Sequence, residues 1–445
     1  MVNLPGAGRR CVLRLTLAIH PIHEMTAGPA TKLHGSHLQI NVEELRLRLL
    51  EDRRLQSVDL EIVRPGEACR AGYVFDILEP RAKEPGSGVD FPGILGPFSV
   101  AGRGTTHILR GAAVTVVDGG QPGGELGYAS RRGGVSKVLE MQGPAAEASP
   151  YSGLHHLVLV PHPFPGVERH AVLNAIRVAS VRAGVYLARA AFGQSPAATE
   201  VLQLESPVVK GEESLPRVAY IGQVHGHQHG AEADEHILYG GNTRGMMPVP
   251  LHPNEWLDGA VVISYSWAGR GLETYFYQNH PIIGELYRLH QAEKLAFVGA
   301  IAMASSDREE ELGRNSMMAA RLAKWTLGAD GVILSKYCGG APHADMFETA
   351  RHCEELGVKT VVQASDTAPD GRAESTLLLN APGVDAVVSI GEGVDIRWQA
   401  PAVERVIAGN PEVAAVLAGP LELTPATVCG TANNQCASRL RPILY

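Results

Sequence analysis

Residues 295–336, LAFVGAIAMASSDREEELGRNSMMAARLAKWTLGADGVILSK, set an apolar run on either side of a charged helical pattern. The runs at 295–302 and 331–335 lack polar alternation, which suits parallel strands covered on both faces. Between them Asp307 precedes Glu309, Glu310 and Glu311, so acidic charge meets the positive end of a helix expected over 308–327. Strand, helix and strand in that order make a βαβ unit with a right-handed crossover. Working outward, runs of the same kind occur at 218–224, 260–264, 359–364 and 386–390, with helical patterns at 282–292, 345–356 and 401–409. Asn410 followed by Pro411 signs a further helix start. The second half is expected to be an α/β domain, a doubly wound parallel sheet that binds ligands at the carboxyl ends of its strands.

The first half reads as α+β. Segments 12–19, 58–63, 108–117 and 156–160 are rich in β-branched and aliphatic residues bounded by Gly, Pro or charge, as strands are. Its strongest helix covers 168–191, where Val172, Ile176, Ala179, Ala183 and Leu187 recur at three- and four-residue spacing and Gly193 closes the pattern. Segment 208–216, with Lys210, Glu212, Glu213 and Pro216, reads as a surface connection. At 445 residues the chain exceeds what one core usually serves. The expected units are an N-terminal α+β domain over 1–207, a Rossmann-like α/β domain over 217–423, and a tail over 424–445.

Composition narrows the function. The net charge of −8 supplies no basic field for a phosphate backbone, so nucleic acid is not an expected partner. An apolar share of 45% against 19% charged residues is that of a globular protein, not of disorder. Six cysteines, at 11, 69, 338, 353, 429 and 436, form no CxxC pair and no dense disulfide framework, which fits a reducing cytoplasm. The apolar run after Arg9 and Arg10 is cut by Arg14, so no signal peptide is expected. Apolar stretches fall short of the roughly 20 residues a membrane span needs, and a soluble protein is expected.

Seven words carry a resemblance: VDLEIVRPGE at 58–67, DILEPRAK at 76–83, FPGILG at 91–96, GRGTTHILRGAAV at 102–114, DGAVV at 258–262, YQNHPIIGELYRLH at 277–290 and LGADGVILSK at 327–336. In order and spacing the chain, from about residue 13 to about 419, resembles the pyruvoyl-bearing proprotein (alpha/beta) subunit of component B of the glycine, sarcosine and betaine reductases. The resemblance implies a proprotein split after DGA, where a cysteine becomes a pyruvoyl group whose ketone engages a small amine. A thiol- or selenol-bearing reductase subunit then completes reductive C–N cleavage. Here the matching stretch reads Val262-Ile263-Ser264-Tyr265-Ser266-Trp267, with Ser266 where the cysteine would stand. Serine is a competent precursor, since its hydroxyl can attack the preceding carbonyl and β-elimination then leads through dehydroalanine to a ketone. The alternative is a serine that ends a strand and caps the turn before Gly269. Because the family relies on the more acidic thiol, the chain is expected not to cleave itself. Arg103 and His107 of GRGTTH, and Arg64 and Glu67 of RPGE, stand in the shared words, so a shared role is weighed against a tight turn built on Gly102 and Gly104.

A second constellation owes nothing to the resemblance. His225, His227 and His229 follow the first strand of the second half, and if the strand continues all three imidazoles share one face. That arrangement suits a divalent transition metal, zinc or iron among them, with Asp234, Glu235 or His236 completing the site. The plain alternative is an exposed loop rich in Gly and His. Cys338 sits past another strand, where a thiolate could be activated, or where a small buried hydrophobe would serve; His343 and His352 bracket Asp345 nearby. Cys429 and Cys436 are a redox pair or nothing. Asn279 or His280 caps the helix that opens at Pro281, or the amides there receive a substrate carboxylate.

The leading expectation is an oligomeric component B-like oxidoreductase subunit, with Ser266, Cys338, His107 and Arg103 as candidate catalytic residues and a pyruvoyl from Ser266 as the implied cofactor. Its rivals are a metal-dependent lyase or hydrolase using the histidine run, and a non-catalytic subunit of such a complex.

Overall fold

The computed structural model describes residues 13–120, 137–204, 215–225, 235–265, 273–306, 308–336, 341–364, 383–389, 396–432, 435, 439–440 and 443–444. The fold is α/β with several mixed sheets.

The largest sheet has seven strands, in the order Val249–Leu251, Ala296–Ala304, Arg217–His225, Gly331–Ser335, Lys359–Ala364, Ala386–Ser389 and Ile443–Leu444. Its five inner strands are parallel, and the two edge strands pair antiparallel. Every residue of Ala296–Ala304 is buried, which is why that run shows no alternation. Helix Glu309–Arg321, extended by a π-helical turn over Leu322–Thr326, and helix Ala341–Glu355 lie between the strands as the periodicity predicts.

Two expected elements differ. Residues 260–264 form only an isolated antiparallel bridge, Leu238 with Val261, because the partner is a short turn and not the large sheet. Segment 401–409 holds a strand, Arg405–Ala408, where a helix was expected. Its β-branched Val406 and Ile407 favour an extended chain, and parallel pairing with Cys69–Gly72 supplies the ladder. That strand lies within the range read as the second domain, yet hydrogen-bonds to the first half.

The first half is organised around helix Arg169–Ala188 and its 3-10 continuation Arg189–Ala191. By length and hydropathy this stretch could cross a membrane, contrary to expectation, but its apolar residues are spent on the core. It covers the sheet Leu55–Val63, His155–Pro163, Ala112–Val117 and Val74–Leu78, burying Val172, Ile176, Ala179 and Ala183 against Phe75, Leu78, Val114 and Leu157. The run expected as one strand over 108–117 is two, Gly104–Arg110 and Ala112–Val117, which belong to different sheets. The chain turns between them at Gly111, whose φ of 99° few other residues adopt.

Candidate functional site

Four charged residues on one short stretch of chain define the site. Asp76 ends no strand but sits inside Val74–Leu78, wholly buried, and Glu79, Arg81 and Lys83 follow it. Charges so placed cost more in desolvation than they return unless each is paired and hydrogen-bonded. Each is: Arg177 pairs with Asp76, Arg81 and Arg110 with Glu79, and Asp258 with Lys83, while segment 257–279 supplies further hydrogen bonds to Asp76, Glu79 and Arg81. Asp76 receives Arg177 Nη1, the Thr274 amide at 2.9 Å and the Thr274 hydroxyl at 2.7 Å. Glu79 and Gln278 exchange two bonds, the Glu79 amide to Oε1 at 2.8 Å and Nε2 to the Glu79 carbonyl at 3.1 Å. Arg81 donates to the Leu257 carbonyl at 2.7 Å, to Asn279 Oδ1 at 3.0 Å and to Glu79. Lys83 Nζ pairs with Asp258, which also accepts from the Gly102 amide at 2.7 Å and the Thr106 hydroxyl at 2.8 Å. The words DILEPRAK, GRGTTH, DGA and YQNH thus meet in space.

The scaffold closes on residues 262–274. Arg177, with both side chains of its Asp76 pair fully buried, also donates Nη2 to the Ile263 carbonyl at 2.5 Å and lies 5.0 Å from the Phe75 ring centroid. The Ile263 amide donates to Thr274 Oγ1 at 3.2 Å. From the other side Glu235 Oε1 accepts the Ser264 hydroxyl at 2.7 Å and the Tyr265 amide. Ser266, the expected pyruvoyl precursor, lies outside the described residues, but both flanks of its segment are held.

Of the histidine run, His225 ends the strand Arg217–His225 and is buried, its Nδ1 3.3 Å from Thr243 Oγ1 and its carbonyl accepting from the Ser305 amide at 2.8 Å. His227, His229 and Asp234 lie outside the described residues. Glu235 and His236, the expected completing ligands, turn instead to 264–265; His236 Nδ1 is 3.3 Å from the Tyr265 hydroxyl. Among the described residues no group of three or more His, Cys, Asp or Glu could hold a metal, so the metal-dependent lyase or hydrolase gains no support.

Arg103 is exposed, and its carbonyl accepts from Lys83 Nζ at 2.7 Å. His107 is buried in a chain of three, Nδ1 at 3.0 Å from His20 Nε2 and Nε2 on Glu84. Neither meets the 262–274 segment in any described hydrogen bond. Cys338 and Cys436 lie outside the described residues. Burial holds the Cys429 thiol well above its ordinary range, which leaves it unreactive. His343 Nδ1 faces Lys336 Nζ at 3.1 Å, whereas His352 lies among Glu348 and Glu355 on its own helix. His280 caps helix Pro281–Gln291 and meets Tyr220; burial pushes its imidazole down to about 3. Sequence reasoning passed over Asp76, Glu79, Arg81, Lys83 and Arg177, and offered Glu235 only as a metal ligand. The signal for the first four was present: charges interrupting a run otherwise fit for a buried strand.

Fold and site define an α/β protein in which one group of buried charges grips one internal segment. Residues 13–427 match the family described as glycine/sarcosine/betaine reductase component B subunits, and the chain belongs to that family. It is 31% identical over 412 residues to the glycine reductase complex component B subunits alpha and beta of Acetoanaerobium sticklandii, covering 92% of each chain. It is 31% identical over 400 residues to the sarcosine reductase complex component B subunit alpha of Peptoclostridium acidaminophilum, covering 89% of each. To the betaine reductase complex component B subunit alpha of the same organism it is 29% identical over 387 residues, covering 85% of this chain and 84% of the relative. No solved structure gives a significant match.

Proposed function

We propose that the chain serves as the component B subunit of a reductase-type complex, acting on a small amine or amino acid by reductive C–N cleavage or a related step. A thiol- or selenol-bearing partner subunit would supply the electrons. The observation that carries this reading is the meeting of four family words on segment 257–279 in a chain matched from residue 13 to 427. Calorimetric titration with glycine, sarcosine and betaine tests it, and a chain that binds none of the three would refute it. We also read the large sheet as doubly wound. In support, Ile283 and Leu286 of helix Pro281–Gln291 pack with Tyr220 and Val224, while Ala319, Ala320 and Met346 pack with Ala219 and Ile221 from alternate positions of the same strand.

The family resemblance implies a pyruvoyl group, which would present a ketone to the amine. The scaffold suits such a role, since Glu235, Arg177 and Thr274 fix the flanks of its segment, but the donor chemistry does not fit: residues 262–267 contain no cysteine. A serine hydroxyl is the weaker acid and nucleophile, so we assign no step to the group. Intact-mass measurement should give a single species near 47.4 kDa. Two fragments, the C-terminal one reacting with phenylhydrazine, would restore Ser266 as the precursor.

A further inference from the structure

We propose that a basic groove along helix Arg169–Ala188 docks an acidic segment of a partner subunit. The inference rests on the reading of the chain as one component of a complex, which requires a face for another component. Arg182, Val185 and Tyr186 of that helix, Arg189 just beyond it and Arg48 of helix Val42–Leu49 line a groove of about 270 Å³. Ile94 and Leu95 give it apolar walls, and Glu51 alone among its described lining residues carries a carboxylate. A second groove of about 490 Å³ shares Arg189 and is lined further by Lys32 and His34, with no carboxylate among its described residues. The Thr31 and Tyr186 hydroxyls, 2.7 Å apart, join the two. Together they set Lys32, Arg48, Arg182 and Arg189 against Glu51, on a chain whose net charge is −8.

How firmly these cations are already engaged decides whether a partner can compete for them. Glu44 holds Arg48 at 2.8 Å. Arg182 gives Nη1 to the Arg48 carbonyl but stands 3.8 Å from Glu51, beyond hydrogen-bond reach. Arg189 is 3.2 Å from Asp90, and among the described residues Lys32 meets no carboxylate. Other surface arginines, Arg46, Arg288 and Arg308, sit 2.5 or 2.6 Å from theirs. Charge-assisted N–H···O bonds close to about 2.7–2.9 Å, so Arg182, Arg189 and Lys32 keep donors for an incoming carboxylate. Two joined grooves with apolar walls suit an extended acidic polypeptide; a small anion would leave Ile94, Leu95 and Val185 unused. Arginine and tyrosine at such walls are the residues that carry most binding energy in interfaces. The groove also reaches the candidate site, since Asp90 meets Arg189 with one carboxylate oxygen and accepts from the Lys83 amide with the other, at 2.6 Å.

The test is fluorescence anisotropy of the full chain with a labelled peptide of repeated Asp-Leu-Glu units, against one of repeated Lys-Leu-Arg units. The net charge of −8 by itself favours the basic peptide, so tighter binding of the acidic one reports a local site. Lys32→Glu with Arg182→Glu should weaken the acidic peptide about tenfold or more. Arg314→Glu with Arg321→Glu, on helix Glu309–Arg321, changes the net charge equally and should alter binding less than about twofold. A preference for the basic peptide, or a groove variant that loses no more than this control, would overturn the inference. If the groove variant does not fold, acetylation of Lys32 in the wild type, read by mass spectrometry, decides. The acidic peptide should slow it, and no protection sinks the proposal. Protection that appears without peptide and rises with protein concentration assigns the groove to a second copy and overturns it likewise. None of these outcomes bears on the amine titration, which tests the proposed function separately.

Discussion

Asp258 gathers the Lys83 ammonium, the Gly102 amide and the Thr106 hydroxyl at one buried carboxylate, and so ties the DGA word to two others. Removing one charge of such a pair strands the other in a medium that cannot solvate it. Asp258→Asn keeps the shape and is predicted to lower stability by about 3–5 kcal/mol, measured by urea denaturation. A loss below about 1 kcal/mol, the scale of an exposed pair, would show that the buried Lys83 is compensated by other groups. Thr106→Val removes only a neutral donor and should cost about 1 kcal/mol. The contrast between these two variants separates charge from hydrogen bonding at the same carboxylate.

Between elements, the closest approach near the site is backbone on backbone. The turn over 237–241 runs beside residues 260–262, with the Tyr239 amide on the Ala260 carbonyl at 2.7 Å and the Val262 amide on the Ile237 carbonyl at 3.0 Å. Gly93 of FPGILG lies against that turn. A Cβ there would stand 2.0 Å from the Tyr239 carbonyl oxygen, and φ at Gly93 is +84°. Gly93→Ala is therefore predicted to push the turn away, and the 260–262 segment with it, at a cost of about 2 kcal/mol or more. Gly35→Ala is the control: φ is +62° but nothing lies within 4 Å, so only backbone strain remains, about 1 kcal/mol. Thermal denaturation of both variants checks this, and equal losses would show that the contact at Gly93 yields readily.

For the molecule as a whole, buried neutral histidines set an acid limit. Burial pushes His156 down to about 4 and His280 down to about 3. Both folded values lie below the unfolded value near 6.5, so the unfolded chain binds protons first as pH falls. The stabilisation is complete above about pH 6.5 and is lost on acidification through the folded values, about 3 kcal/mol for each histidine by pH 4. The melting temperature should fall steeply between pH 6.5 and 4, and less steeply in His156→Gln. Identical pH profiles for the two proteins would exclude His156 as a source of the effect.

The sequence by itself determined the parallel core, the long helix of the first half and the cap at Asn410, because burial on both faces, a 3.6-residue period and capping are written in neighbouring residues. It also carried the family, as ordered words. It misplaced 260–264 and 401–409, whose conformations depend on partners far along the chain: Leu238 for the first, Cys69–Gly72 for the second. Of the candidate site it offered position 266, the histidines and Arg103, all visible as local motifs. Only the tertiary structure decided that Asp76, Glu79, Arg81, Lys83, Arg177 and Glu235 hold or adjoin one segment. A buried charge is tolerated only where a partner meets it, and partners such as Asp76 and Thr274, 198 residues apart, become neighbours through folding alone.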